Sequence, residues 1–77
     1  MISSADVNKV FDDEIKRHGA NHPIPFQRFV EVLNVKAKTL DSIQLQNLLI
    51  IFEKQKKIKV INGNPPLYLR IQGVTNV

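Results

Sequence analysis

Residues 40–57 read LDSIQLQNLLIIFEKQKK, and residues 58–71 read IKVINGNPPLYLRI. The first stretch predicts a long helix, because its apolar residues recur at helical spacing and form one stripe. The residues of this stripe are Leu45, Leu48, Leu49 and Phe52. The second stretch predicts a β-hairpin, because Asn62 and Gly63 both tolerate the positive φ angles of a tight turn. A long helix that leads directly into a hairpin therefore decides the fold class.

The ends and the outer face of this helix give further expectations. Asp41, with Gln44 three residues later, predicts an N-cap and its capping-box partner. Lysines occupy the last turn, where positive charge complements the carbonyl end of the helix dipole. Ile43 and Ile50 lie about 150° from Leu45 at about 100° per residue. A surface helix normally carries polar side chains on that side, so the outer face is unusually apolar.

A first, shorter helix is predicted near the start of the chain. Ser3 or Ser4 can cap it, and Gly19 ends it. Its inward face is predicted to consist of Val7, Val10, Phe11 and Ile15. Glu14 borders that stripe and predicts a salt bridge to a basic residue of another element.

A second helix is predicted to begin at Pro25, because proline suits the first turn of a helix. Its apolar residues follow at helical spacing and are Phe26, Phe29, Val30 and Leu33. Ile24 lies between two prolines, which cannot donate to a sheet ladder. We therefore expect Ile24 to form a minimal first strand that pairs at one point of a sheet edge.

Length and composition bound the class of protein. A chain of 77 residues forms one small domain, since about 60 residues bury only about 60% of their unfolded surface. The absence of cysteine fits a reducing compartment, and neither a signal peptide nor a membrane-length apolar run is present. We therefore predict an intracellular domain at residues 1–72, without membrane contact, and a flexible tail at residues 73–77. Met1-Ile2-Ser3 is interpreted as an added start, so the domain would be a piece of a larger protein.

The formal charge of +4 is distributed unequally along the chain. Residues 1–34 carry four basic and five acidic side chains, for a net charge of −1. Residues 35–77 carry seven basic and two acidic side chains, for a net charge of +5. The half that contains the long helix and the hairpin is therefore the basic one, which indicates an anionic partner or a solvated basic face.

The sequence offers little for catalysis or metal binding. His18 and His22 are four residues apart, but Gly19 and Pro23 break the helix that would align them, and no third ligand is evident. We interpret them as turn residues and predict no metal and no cofactor. A nucleophile–base pair and a glycine-rich phosphate loop are both missing, so we expect no enzyme activity.

The order of helix, minimal strand, short helix, longer helix and hairpin resembles the winged helix-turn-helix superfamily over residues 4–71. The resemblance rests on Ile24, on the apolar faces of the second and third helices, and on the hairpin from Ile58 to Leu69. It implies an α+β fold, a small winged-helix domain with three helices followed by a two-stranded wing. The superfamily includes DNA-binding proteins and pure protein-interaction modules, so the fold does not decide the function.

In DNA-binding members the third helix enters the major groove and the wing contacts the backbone or the minor groove. By position, the resemblance assigns Ser42, Gln46 and Asn47 to the groove, and Lys36, Lys38, Thr39, Lys59 and Arg70 to phosphates. The proposed groove face lacks arginine, the commonest base-reading residue. The implied function is binding of double-stranded DNA with low sequence specificity, within a larger replication, chromatin or transcription protein, and the implied location is nuclear.

The alternative function is protein–protein interaction through the apolar outer face of the third helix. The residues assigned to this contact are Ile43, Ile50, Ile51 and Tyr68. The partner would be another protein or a neighbouring domain of the same chain. Alternation along the hairpin predicts that Lys59, Tyr68 and Arg70 share its outward face, opposite a face that packs on the helices.

Overall fold

The computed structural model describes residues 1–71. In chain order the elements are α1 (Ser4–His18), β1 (Ile24–Pro25), α2 (Phe26–Leu33), α3 (Leu40–Lys54), β2 (Ile58–Ile61) and β3 (Leu67–Arg70). The strands form one antiparallel sheet in the order β1-β3-β2. The predicted α+β class, the winged-helix-like arrangement and the minimal strand at Ile24 are thus confirmed. The flexible tail predicted at residues 73–77 lies outside the described residues.

One hydrophobic core joins the three helices and the sheet. Its buried members are Ile2, Val7, Val10, Phe11, Ile24, Phe29, Val35, Leu45, Leu49, Phe52 and Ile58. At its centre the rings of Phe11 and Phe29 meet edge to face, with centroids 5.1 Å apart, an arrangement that aromatic pairs prefer. None of the helices in the described part of the chain is long and apolar enough to cross a membrane.

The start of the chain belongs to this core. Ile2 is only 6% exposed, and its backbone N–H donates a hydrogen bond to Gln44 Oε1 at 3.2 Å. The interpretation of Met1-Ile2-Ser3 as an added start therefore missed a core residue. Burial of an isoleucine stabilises a fold by about 1.5–3 kcal/mol, so these residues contribute to folding.

Helix α1 begins as predicted. Ser3 is its N-cap, and the backbone N–H of Asp6 donates to Ser3 Oγ at 3.3 Å. The Asp6 carboxylate completes the capping box by accepting from the backbone N–H of Ser3 at 2.9 Å. The Ser3 hydroxyl also donates to Asp6 Oδ2 at 3.1 Å. The two hydrogen bonds that the carboxylate accepts, first from the backbone and then from the side chain of Ser3, lower the pKa of Asp6. Along the predicted inward face, Ile15 is half-buried and the other members are buried.

The N-cap prediction for α3 was wrong. Thr39 caps the helix, since its Oγ1 accepts a hydrogen bond from the backbone N–H of Ser42 at 3.3 Å. Asp41 lies inside the first turn instead. The reason is the preceding backbone: Lys38 adopts a left-handed φ of 60°, and the Thr39 hydroxyl donates to the Lys36 carbonyl at 2.7 Å. This local turn starts the helix two residues earlier than the Asp41 pattern indicates.

The two faces of the hairpin are also different from the prediction. Val60 lies opposite Tyr68, and Ile58 lies opposite Arg70. Directly opposed residues of antiparallel strands share a face, so these four side chains lie on the same side of the sheet. The other side carries Lys59, Ile61, Leu67 and Leu69.

The first of these faces packs on the helices. The Tyr68 ring meets the Phe29 ring edge to face, with centroids 5.8 Å apart, and the Arg70 guanidinium lies 5.3 Å from the centre of the Phe11 ring. The prediction that Tyr68 and Arg70 share the outward face with Lys59 is therefore wrong. Because side chains alternate with a period of two, a shift of one residue at the loop inverts the whole face.

Candidate functional site

The outer face of α3 carries large apolar side chains among its polar ones. Its core face is occupied by buried leucines and Phe52, whereas four apolar side chains on other faces remain 45–84% exposed. These are Leu40, Ile43, Ile50 and Ile51. At about 100° per residue, Ile43, Asn47, Ile50 and Lys54 form the stripe directly opposite the core. The isoleucines thus point to solvent because the helix already has a complete inward stripe.

A groove lies beside this stripe, between α3, the start of α2 and the hairpin loop. Its volume is about 460 Å³, within the range of about 300–1,000 Å³ that is usual for binding pockets. It is lined by Phe26, Gln27, Gln46, Ile50, Asn64, Pro65, Pro66 and Tyr68. Ile50 belongs both to the exposed stripe and to the groove, so the two form one continuous surface. We call this combined surface, made of Ile43, Ile50 and the groove lining, the α3 surface.

The short strand β1 fixes the positions of the two elements that form the sides of the groove. Ile24 pairs with Tyr68 and Pro25 pairs with Leu67, which attaches the start of α2 to β3. The backbone N–H of Phe26 then donates to the Pro66 carbonyl at 3.3 Å. The hairpin loop is thereby fixed against α2, and its two prolines form one side of the groove.

Tyr68 connects the groove to the core. Its ring lies 6.4 Å from the Phe26 ring as well as 5.8 Å from the Phe29 ring, measured between centroids. Burial raises the pKa of Tyr68, and the negative charge of Glu53 raises it further. The phenol therefore keeps its proton at neutral and moderately alkaline pH. A neutral hydroxyl at the edge of an apolar groove can donate a hydrogen bond to a bound partner.

Basic side chains flank both ends of α3. Lys36 and Lys38 precede the helix, Lys54 is its last residue, and Lys56 and Lys59 lie after it, Lys59 within β2; all five are exposed. Among residues 1–71, none of these lysines takes part in a salt bridge. Their charges are therefore not neutralised by an ion pair within the described residues, and the lysines at the two ends of α3 are available to an anionic partner there.

Arg70 lies away from the α3 surface. Its guanidinium donates to the Asp12 carboxylate and to the backbone and side-chain oxygens of Asn8 at 3.1 and 3.2 Å. Together with its position over Phe11, these contacts attach β3 to α1. Arg70 thus lies on the opposite side of the sheet from Lys59, with which it was predicted to contact phosphates, and its side chain is already occupied within the chain.

The remaining predicted DNA contacts are divided between capping and exposed positions. Thr39 caps α3, and Ser42 is half-buried beside it. Gln46 and Asn47 are exposed on α3, and Gln46 lines the groove. The groove itself was not predicted from the sequence. Comparison of this chain with protein-family models, curated proteins and solved structures found no significant match.

Proposed function

We propose that this domain is a non-catalytic protein-interaction module that binds an acidic, apolar segment of a partner protein on the α3 surface. The observation that carries the proposal is the exposure of Ile43 and Ile50, at 54% and 49%, next to a preformed apolar groove. Exposed apolar side chains that adjoin a groove and have polar neighbours are a common feature of interaction sites. The domain supplies both the patch and a concave pocket for an anchoring side chain.

The composition of α3 favours protein over DNA as its partner. Side chains that read base edges must donate or accept hydrogen bonds. Ile43 and Ile50 can do neither, and they lie at the centre of the helix face that would enter the major groove. Insertion of this face would desolvate polar base edges without replacing their hydrogen bonds, which is costly.

The charge around the α3 surface indicates the chemistry of the partner. Lysines lie at both ends of α3. At the C-terminal end they outnumber the nearest acidic residue, Glu53. Complementary charge gives a complex its orientation and a faster association rate. An amphipathic helix with large apolar anchors and acidic residues at both ends fits this arrangement, since such helices bind apolar grooves through residues one turn apart.

Selection from a displayed library of helical peptides, followed by fluorescence polarisation, tests the proposal. We expect the selected peptides to combine apolar anchors with acidic flanks. The Ile43→Ser/Ile50→Ser variant should bind them about 30-fold more weakly, because covering the exposed half of each isoleucine contributes about 1 kcal/mol. Val32→Ser is the matched control, since Val32 is 44% exposed on α2 and lies outside the groove. Equal affinity of the double variant and the control would contradict the proposal.

DNA binding remains a second candidate function, favoured by the exposed lysines that flank α3. Lys36, Lys38 and Lys59 could each neutralise one phosphate, which gives a slope of log K against log salt of about −2.7. In titrations of a random-sequence duplex, Lys59→Gln should reduce this slope by about 1, whereas Arg70→Gln should leave it unchanged. A slope near zero for the parent protein would exclude this function.

A further inference from the structure

The end of α1 and the turn that follows it bring together three residues that can bind a metal ion. Glu14 and His18 are one helical turn apart on α1, and His22 lies just before β1. The chain reverses at Gly19, whose φ of 97° favours glycine. The imidazole rings of His18 and His22 stack with centroids 4.3 Å apart. Sequence spacing offered no third ligand, but in the fold Glu14 lies beside both rings.

We propose that Glu14, His18 and His22 form a binding site for a Zn²⁺ ion. One ligand atom from each residue lies within 4.8 Å of the other two. Ligand atoms around a tetrahedral zinc ion lie about 3.3 Å apart, since each bond is about 2.0–2.1 Å long. The site must therefore contract by at most about 1.5 Å, and His18, whose side chain is exposed, is the ligand that is free to rotate inward.

The donor set selects the kind of metal. Two imidazoles and one carboxylate match zinc sites that have three protein ligands and leave the fourth position to water. Imidazole is a poor ligand for Mg²⁺ and Ca²⁺, which prefer oxygen donors. The chain contains no cysteine, so a thiolate cannot compete for the ion. Zinc should therefore bind in preference to magnesium and calcium.

Arg28 orients the carboxylate of this site. Its Nε donates to Glu14 Oε1 at 2.9 Å, whereas its Nη2 lies farther from Oε2, at 3.5 Å. Glu14 is only 4% exposed, so this ion pair determines where its oxygens point. A carboxylate has about four lone-pair positions, and Oε2 can bind a metal while Oε1 keeps the stronger hydrogen bond. Such hydrogen bonds to a ligating carboxylate commonly position it.

Occupancy of the site would join α1 to the segment that leads into β1. His22 precedes Ile24 by two residues, and Ile24 pairs with β3 beside the groove. A ligand that binds only the folded state stabilises it by mass action. Zinc should therefore raise the melting temperature of the domain, and the rise should depend on both histidines.

Titration of the tag-free, chelator-treated domain with Zn²⁺, followed by calorimetry and NMR, tests this proposal. We expect binding of one ion per chain, with ring shifts at His18 and His22 and a shift of the Glu14 side-chain carboxyl carbon. His18→Asn and His22→Asn should each weaken binding more than tenfold, with only a small change in the melting temperature of the metal-free domain from the loss of ring stacking. Asp13→Asn is the matched control, because Asp13 is an exposed carboxylate next to Glu14 on the same helix.

Three results would overturn the proposal: no binding at millimolar zinc, equal affinity of the histidine variants, or histidine shifts without a Glu14 shift. The last result would mean that only the histidine pair binds the ion. The carboxyl shift is read in the parent protein, so the test does not depend on whether a Glu14 variant folds. Mg²⁺ at the same concentration should produce none of these changes.

Discussion

The orientation of the hairpin can be tested with two single substitutions in β3. Tyr68 faces the helices and contacts Phe29 and Phe26, whereas Leu69 lies opposite Lys59 on the other side of the sheet. Tyr68→Ala should therefore destabilise the domain more than Leu69→Ala does. The alternation of the sequence alone predicts the reverse order, with Leu69 inside and Tyr68 outside.

The magnitude follows from the contacts of each side chain. Truncation of a fully buried aromatic residue costs about 3–5 kcal/mol, and Tyr68 is half-buried, so we expect about 2–3 kcal/mol. Leu69 is half-buried and outside the core cluster, so we expect about 1 kcal/mol for its truncation. In a domain of this size each kcal/mol lowers the melting temperature by about 4–8 °C. Tyr68→Ala should therefore melt about 8–24 °C below the parent.

The assay is unfolding by heat and by urea, each followed by far-ultraviolet circular dichroism. The chain has no tryptophan and Tyr68 is its single tyrosine, so intrinsic fluorescence would be lost in the variant. Tyr68→Phe is the control, because it keeps the ring contacts and removes only the hydroxyl; it should remain within about 1 kcal/mol of the parent. A larger loss for Leu69→Ala than for Tyr68→Ala would refute the strand register described above.

Two further predictions concern the start of the chain. Ile2→Ser should lower the free energy of unfolding by about 1.5–3 kcal/mol, since Ile2 is 6% exposed in the core; an unchanged urea midpoint would show that the first residues are dispensable. Asp6→Asn should destabilise the domain near neutral pH, because the pKa of Asp6 is lowered in the folded state. That contribution is complete above the ordinary pKa of about 3.9 and is lost as the pH falls through the folded pKa. The two unfolding curves should therefore converge below about pH 4, and a difference that persists in acid would point to another cause.

Much of the fold follows from patterns that involve residues near one another in sequence. The spacing of Leu45, Leu49 and Phe52 predicts α3 because a helix repeats about every 3.6 residues. Asn62 and Gly63 correctly predict where the hairpin loop lies, between Ile61 and Leu67. Neither residue adopts the positive φ on which that prediction was based, however. The excess of lysine after residue 35 and the apolar outer face of α3 could also be recognised without coordinates. The function proposed here grows from that face.

Other features depend on contacts between residues far apart in the chain. Arg70 binds Asp12 across 58 positions, and Ile2 binds Gln44 across 42; neither pairing has a local pattern that indicates it. The register of β3 is likewise set by packing of Tyr68 on Phe29, because both faces of that strand contain large apolar side chains and alternation cannot choose between them.

The candidate sites also combine features that are predictable from local sequence with features that depend on long-range contacts. Ile43 and Ile50 were predictable as exposed from helical geometry, but the groove beside them exists because β1 fixes the hairpin loop against α2. His18 and His22 are recognisable as a pair, yet Glu14 joins them only when the turn after Gly19 folds back on α1. The sequence by itself determined which residues form helices, strands and exposed faces, because those properties depend on local geometry. Which side chains meet was decided by the tertiary structure, because it depends on how the elements pack.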